Sequence, residues 1–224
     1  QLIIVAGRPS MGKTSLLVNN IALHAALNAG VPVGIFSLEM SAQQLSEMLL
    51  CGKAKVNNWR IRRGQPTSED WLRIGAAIGE LTKAPIYIDD TPSISILEMR
   101  SKARRLKSQY KVGLICVDYL QLADGGGRFK DSRHQEISII ARSLKSMARE
   151  LKIPVVVGSQ LSRNVERRPD KRPILSDLAE SGTIEAEADV VCLLYRASYY
   201  KQKEDAKKLE AKAQQAVDDP SAGQ

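Results

Sequence analysis

What this chain has little of narrows its class first. Only 3 of 224 residues are cysteine and only 4% are aromatic. Cys51 sits in a helical pattern, and Cys116 and Cys192 sit inside apolar, strand-like runs. None has metal-ligand spacing, so a disulfide framework and a cysteine metal centre are both excluded. All three read as small buried hydrophobes of a reducing compartment, and a cytoplasmic location is expected. Scarce aromatics leave few platforms for base stacking, so any nucleic-acid contact should be ionic. No apolar run approaches a membrane span and no signal peptide is visible, so no membrane partner is expected.

What is present describes an ordinary globular chain with a basic bias. A hydrophobic content of 43% beside 26% charged residues suits one sizeable α/β domain. The net charge of +8 tilts towards a polyanionic partner, although charge alone describes a basic enzyme equally well. Its location must decide. Gln1 stands directly before a core-like strand, which reads as a piece of something longer.

The decisive stretch is at the start. Residues 2–6, Leu-Ile-Ile-Val-Ala, form the continuous apolar run of a strand buried on both faces. Residues 7–14, Gly-Arg-Pro-Ser-Met-Gly-Lys-Thr, then fit G-x-x-x-x-G-K-[ST], and a helix follows from Lys13. Glycines let successive backbone N–H groups turn inward, and the helix N-terminus adds partial positive charge, which together suit an anion. Gly7, Arg8, Pro9, Ser10, Met11, Gly12, Lys13, Thr14 and Ser15 are therefore the expected nucleotide-binding loop. Lys13 would reach the β- and γ-phosphates of ATP, and the Thr14 hydroxyl would ligate Mg²⁺.

Downstream, strands are expected at 33–39, 85–89, 112–118, 153–160 and 189–195. Helices are expected at 13–29, from a Ser41–Gln44 capping box to about 55, at 68–81, 96–110 and 134–151, with a polar turn at 60–66. Apolar strands alternating with helices predict a mainly parallel twisted sheet with helices on both faces. Residues 1–200 would form the domain. Residues 201–224, rich in Lys, Glu, Ala and Gln, would be a charged, exposed and partly disordered tail.

Two strands end in acid, at Asp89–Asp90 and at Asp118. Either reaches the ligand edge of an open α/β sheet. The longer apolar run before Asp118 suits a strand next to the phosphate-loop strand and favours Asp118 as the Mg²⁺-steadying acid, leaving Asp89–Asp90 as a turn pair. Glu39 ends the second strand, where a carboxylate could orient an attacking water, or could simply be a solvated acid near a helix N-terminus. Gln160 ends the fifth strand as a sensor of the γ-phosphate or as an ordinary loop glutamine. Arg100, Lys102, Arg104, Arg105 and Lys107 read as a solvated helix face. Arg128, Lys130 and Arg133, with Arg163, Arg167, Arg168, Lys171 and Arg172, fall in the loops after Asp118 and Gln160. That is where a nucleotide-driven nucleic-acid motor needs phosphate-backbone ligands.

Gly-Arg-Pro-Ser-Met-Gly-Lys-Thr (7–14), Phe-Ser-Leu-Glu-Met-Ser (36–41), Ile-Asp-Asp-Thr-Pro (88–92), Val-Asp-Tyr-Leu-Gln-Leu (117–122), Ser-Gln-Leu-Ser-Arg (159–163) and Lys-Arg-Pro-Ile-Leu-Ser-Asp-Leu (171–178) resemble DnaB-type replicative DNA helicases. The resemblance covers about residues 2–200. It implies a RecA-like P-loop NTPase motor domain that hydrolyses ATP and translocates on single-stranded DNA. It further implies a hexameric ring in the full-length protein, with a primase and a helicase loader as partners. Glu39 would be the catalytic base, Asp118 the Mg²⁺-organising acid and Gln160 the γ-phosphate sensor. Arg163, Glu180 and Gly182 would contact DNA.

Two departures stand against the family pattern. The family's Arg-Glu-Ser-Gly turn is here Ala179-Glu180-Ser181-Gly182, one phosphate-pairing charge short, so weaker and less salt-dependent DNA binding is expected. The Gly-Lys-x-Arg-Asn-Gly segment that carries the family's arginine finger has no counterpart in this sequence, nor do the family's N-terminal domain and linker helix. On that basis this stretch alone is expected to turn ATP over poorly. A nucleotide-gated interaction module that docks a loader or primase is the alternative from another class, and a RecA-type recombinase ATPase is the alternative within the class.

Overall fold

The computed structural model describes residues 1–126, 132–178, 182–203 and 205–206. Gln1–Leu194 form one compact unit, and a second begins at Tyr195. Within the second unit, residues 197–203 are helical. The remaining tail residues, with Arg128, Lys130, Ala179, Glu180 and Ser181, lie outside the described residues.

In the first unit the described strands are β1 (Leu2–Gly7), β2 (Val33–Ser37), β3 (Ile86–Asp89), β4 (Leu114–Asp118), β5 (Val155–Gln160) and β6 (Val190–Leu193). All pair in parallel, in the order β3-β2-β4-β5-β1-β6. Alternate residues of each central strand feed two cores. On one face Ile4, Phe36, Ile115 and Val157 pack with helices Ile96–Tyr110 and Arg133–Leu151. On the other, Val5, Ile35, Cys116 and Val156 pack with Leu17, Val18, Leu45 and Leu49. Parallel strands covered on both faces need apolar side chains in both directions, which is why their sequences do not alternate. No described helix is long and apolar enough to cross a membrane.

The helices begin where short polar side chains cap them. Ser41 and Gln44 close the expected capping box on helix Ala42–Ala54. Thr67 and Asp70 do the same for helix Ser68–Leu81. After the phosphate loop, residues 13–27 are helical, with a π-helical stretch at Leu16–Ala22 between two α-helical ends. The expected polar turn at 60–66 is in part helix Asn58–Arg62, because Asn57 caps it by accepting from the Trp59 N–H at 2.9 Å.

Three other expectations change. The Asp118 strand is not beside β1, because β5 lies between them, with Leu2 opposite Val155 and Ile115 opposite Val155 on its other edge. Cys51 and Cys116 are buried as read, and burial pushes the Cys116 thiol up to about 12, but Cys192 is exposed. It lies on β6, an edge strand whose residues are only partly covered. The basic face of helix Ile96–Tyr110 is not simply solvated. Arg100 and Arg104 both pair with Glu150, tying that helix to Arg133–Leu151, and Lys102 bridges Asp89 and Glu98.

Candidate functional site

Every strand that carries a predicted site residue ends at the same sheet edge. Gly7, Ser37, Asp118 and Gln160 are the last residues of β1, β2, β4 and β5. At the phosphate loop Ser10 and Gly12 take left-handed backbone angles, φ 66° and 92°, so the chain curls before helix Lys13–Ser15. Gly12 bears that conformation at no steric cost. A pocket of about 350 Å³ opens there, lined by Pro9, Ser10, Gly12, Lys13, Thr14, Ser15, Glu39, Tyr119 and Gln160.

The centre of the site is a short hydrogen bond, from the Thr14 hydroxyl to Asp118 Oδ2 at 2.6 Å. Asp118 is 2% exposed, and its other oxygen, Oδ1, is buried with no hydrogen-bond partner. Burial pushes its carboxyl above the usual carboxylate range and nearby Glu39 adds to that, against the Thr14 bond and the Lys13 charge. Lys13 folds back so that Nζ donates to the Gly7 carbonyl at 3.1 Å. Burial pulls its ammonium below the usual lysine range and Arg8 adds to that, while Asp118 and Glu39 resist. A hydroxyl and a buried carboxylate oxygen in want of a partner are hard donors, and they fit a small divalent cation that completes its shell from water and phosphate.

Asp118 reaches Thr14 from a strand one removed from β1, and β5 lets it pass. Gly158 stands between them. A Cβ there would lie 2.9 Å from Asp118 Oδ1, 3.1 Å from Leu17 Cδ1 and 3.2 Å from Tyr119 Cβ. The missing side chain is the space the carboxylate occupies. By contrast Asp89 is occupied by Lys102 and Thr91, and Asp90 accepts from the Ala42 N–H at 2.7 Å. That leaves Asp118, and not the Asp89–Asp90 pair, at the loop.

Glu39 is exposed at the rim, in a turn fixed from two sides. The Leu38 N–H donates to the Asp118 carbonyl at 2.8 Å, and Ser37 Oγ donates to the Met40 carbonyl at 2.6 Å. Gln160 lines this pocket and also a second cleft of about 510 Å³, shared with Arg8, Gln121, Arg133, Leu161, Ser162, Arg163, Ser176 and Leu178.

The described basic residues divide into committed and open ones. Arg8, almost fully buried, donates to the Leu161 carbonyl at 2.8 Å and to Glu166 at 3.1 Å, holding the phosphate loop to the segment after β5. That segment closes on itself through the Leu161–Leu178 bridge and an Arg168–Asp177 ion pair. Arg133 donates to the Gln121 carbonyl and pairs with Glu136, so it serves the fold. Arg163 and Arg167 are exposed. Gly182 starts helix Gly182–Glu187, while Glu180 of the predicted DNA turn lies outside the described residues.

A model of the DnaB-like helicase C terminal domain matches residues 1–219. The chain belongs to that family. Replicative DNA helicase DnaB of Geobacillus stearothermophilus is 52% identical over 208 residues, and Replicative DNA helicase DnaC of Bacillus subtilis (strain 168) is 51% identical over 208. Each alignment takes in 93% of this chain and 46% of the relative, so the chain spans less than half the length of these curated proteins. Among solved structures, an isolated ATPase domain superposes with a TM-score of 0.80 at 40% identity, over 90% of this chain and 71% of that one. A DnaB-like replicative helicase, solved with its interactions with primase, superposes with a TM-score of 0.80 at 38% identity, over 90% of this chain and 48% of that one. The six-stranded parallel sheet with its flanking helices is the RecA-like ATPase fold of DnaB-like helicases.

Sequence reading missed four residues at the DnaB-like site. Tyr119 lines the pocket with the Lys13 ammonium 5.9 Å from its ring centre. Gly158, Gln121 and Glu166 were likewise passed over, since each matters only through a neighbour distant in sequence. A lone glycine inside an apolar strand was the one available signal, because such a residue marks a close approach.

Proposed function

We propose that this chain is the motor domain of a replicative DNA helicase, which hydrolyses ATP to translocate on single-stranded DNA and unwind duplex. The observation that carries the reading is the Thr14–Asp118 hydrogen bond, with Asp118 Oδ1 lacking a partner beside Lys13 and a pocket that Glu39 and Gln160 share. ATP would lay its phosphates against the amides of 7–14, and Lys13 would exchange the Gly7 carbonyl for phosphate oxygens. Mg²⁺, held by Thr14 and Asp118, would supply charge neutralisation at the β- and γ-phosphates. Glu39 would take a proton from the attacking water as its oxygen bonds the γ-phosphorus and the bond to ADP breaks. Gln160, on the wall between the pocket and the cleft holding Arg163, would report that change to the DNA side. Arg163, Glu180 and Gly182 are the proposed DNA contacts.

The relatives' names support this reading, since both curated proteins are replicative DNA helicases. A hexameric ring, a loader and a primase belong to the same proposal, the last because one related structure includes interactions with primase. Steady-state ATP hydrolysis with and without single-stranded DNA tests it, using Glu39→Gln as the hydrolysis-deficient control. Stimulation by DNA that Glu39→Gln abolishes is expected. Tight ATP binding without hydrolysis or DNA response would instead favour the nucleotide-gated docking module.

A further inference from the structure

The β4–β5 ladder ends early. Its last pair is Val117 with Val157, whereas β5 runs on beside β1 until Gly7 lies opposite Gln160. On the β4 side the end of β5 therefore lacks a strand partner. The side chain of Gln121, two residues beyond Tyr119, takes that place. Its Oε1 accepts from the Gln160 N–H at 3.1 Å, and its Nε2 donates to the Gln160 carbonyl at 3.3 Å and to Ser159 Oγ at 3.1 Å. The amide offers one donor and one acceptor at strand spacing, which is what a neighbouring peptide would offer.

Gln121 is itself held in place. Its carbonyl accepts from Arg133, Arg133 pairs with Glu136, and Glu136 Oε1 accepts from the Gly125 N–H at 3.1 Å. Resting on the ATP-site reading above, we propose that Gln121 is the positioning residue for Gln160, fixing the strand end from which that side chain faces the phosphate pocket. A backbone N–H and C=O left without partners would let Gln160 rotate out of register with Lys13 and Glu39. Gln121 is not itself in the phosphate pocket's lining and meets it through Gln160. Its removal should therefore slow turnover without weakening nucleotide binding.

The test is steady-state ATP hydrolysis by the protein, with nucleotide affinity measured separately using a non-hydrolysable ATP analogue. Gln121→Met keeps the length of the side chain and removes its hydrogen bonds. The expected result is a kcat lower by about 10- to 100-fold, the scale of a misplaced reacting group, with KM and analogue affinity unchanged. In a Gln160→Ala background Gln121→Met should lower kcat no further, a non-additivity that a purely structural role would not produce. Should Gln121→Met fail to fold, Gln121→Glu, which keeps the acceptor for the Gln160 N–H, undergoes the same comparison. Full kcat in the single variant, or effects that multiply with Gln160→Ala, overturns the proposal alone. Absence of hydrolysis by the unsubstituted protein overturns the ATP-site reading and takes this proposal with it.

Discussion

Adding one methyl group at Gly158 probes how the site is assembled across three strands. The new Cβ would sit 2.9 Å from Asp118 Oδ1, 3.1 Å from Leu17 Cδ1 and 3.2 Å from Tyr119 Cβ. Neither Leu17, fully buried, nor Asp118, 2% exposed, has free space to retreat into. Overpacking of this kind costs roughly 1–3 kcal/mol. In a domain of this size each kcal/mol lowers Tm by about 2–4 °C. The larger consequence falls on the carboxylate, which must move away from the Thr14 hydroxyl that it now meets at 2.6 Å. Nucleotide titrations with and without Mg²⁺ separate the two effects. The gain in affinity that Mg²⁺ confers should shrink by about 10-fold, equivalent to roughly 1.4 kcal/mol, while binding without Mg²⁺ changes little. Gly34→Ala is the control, since its Cβ would press chiefly on the movable end of Leu106 at 3.0 Å. An unchanged Tm together with an unchanged Mg²⁺ increment in Gly158→Ala would refute the idea that this gap admits Asp118.

Three further outcomes follow from the geometry. Thr14→Val removes the hydrogen bond that Asp118 Oδ2 accepts, beside an Oδ1 that already lacks a partner; it should cost about 1–3 kcal/mol in chemical denaturation and remove the Mg²⁺ increment. Because the Asp118 carboxyl lies above its ordinary range when folded, the folded state holds that proton more tightly than the unfolded state does. Its contribution is therefore full below the ordinary carboxylate range and is lost as pH rises through the raised value. Asp118→Asn abolishes this slope, so its Tm advantage should grow across that window and then level off, and parallel Tm–pH curves would contradict the assignment. Gly75 and Gly79 lie on the exposed side of helix Ser68–Leu81 with nothing within 4 Å of a built Cβ. Alanine at either should stabilise by about 0.5–1 kcal/mol, read from denaturation midpoints, with no change in nucleotide binding.

The amino-acid sequence by itself determined the strand and helix order and the phosphate loop, because both rest on local rules. Apolar runs, capping pairs such as Ser41 with Gln44, and the spacing of Gly7, Gly12, Lys13 and Thr14 depend only on near neighbours. Sequence also placed Asp118 at a strand's end, yet assigned its strand the wrong neighbour, since nothing local says that β5 inserts beside β1. Tertiary structure alone decided what the side chains meet. It committed Arg133 to the Gln121 carbonyl, removing it from the set of open cations, and left Cys192 exposed on an edge strand. It also made Gly158 the gap through which a carboxylate reaches the phosphate loop, and Gln121 the partner of a strand end 39 positions away. Each of these depends on residues that only the parallel crossovers bring together, and such proximity leaves no periodic trace in the chain.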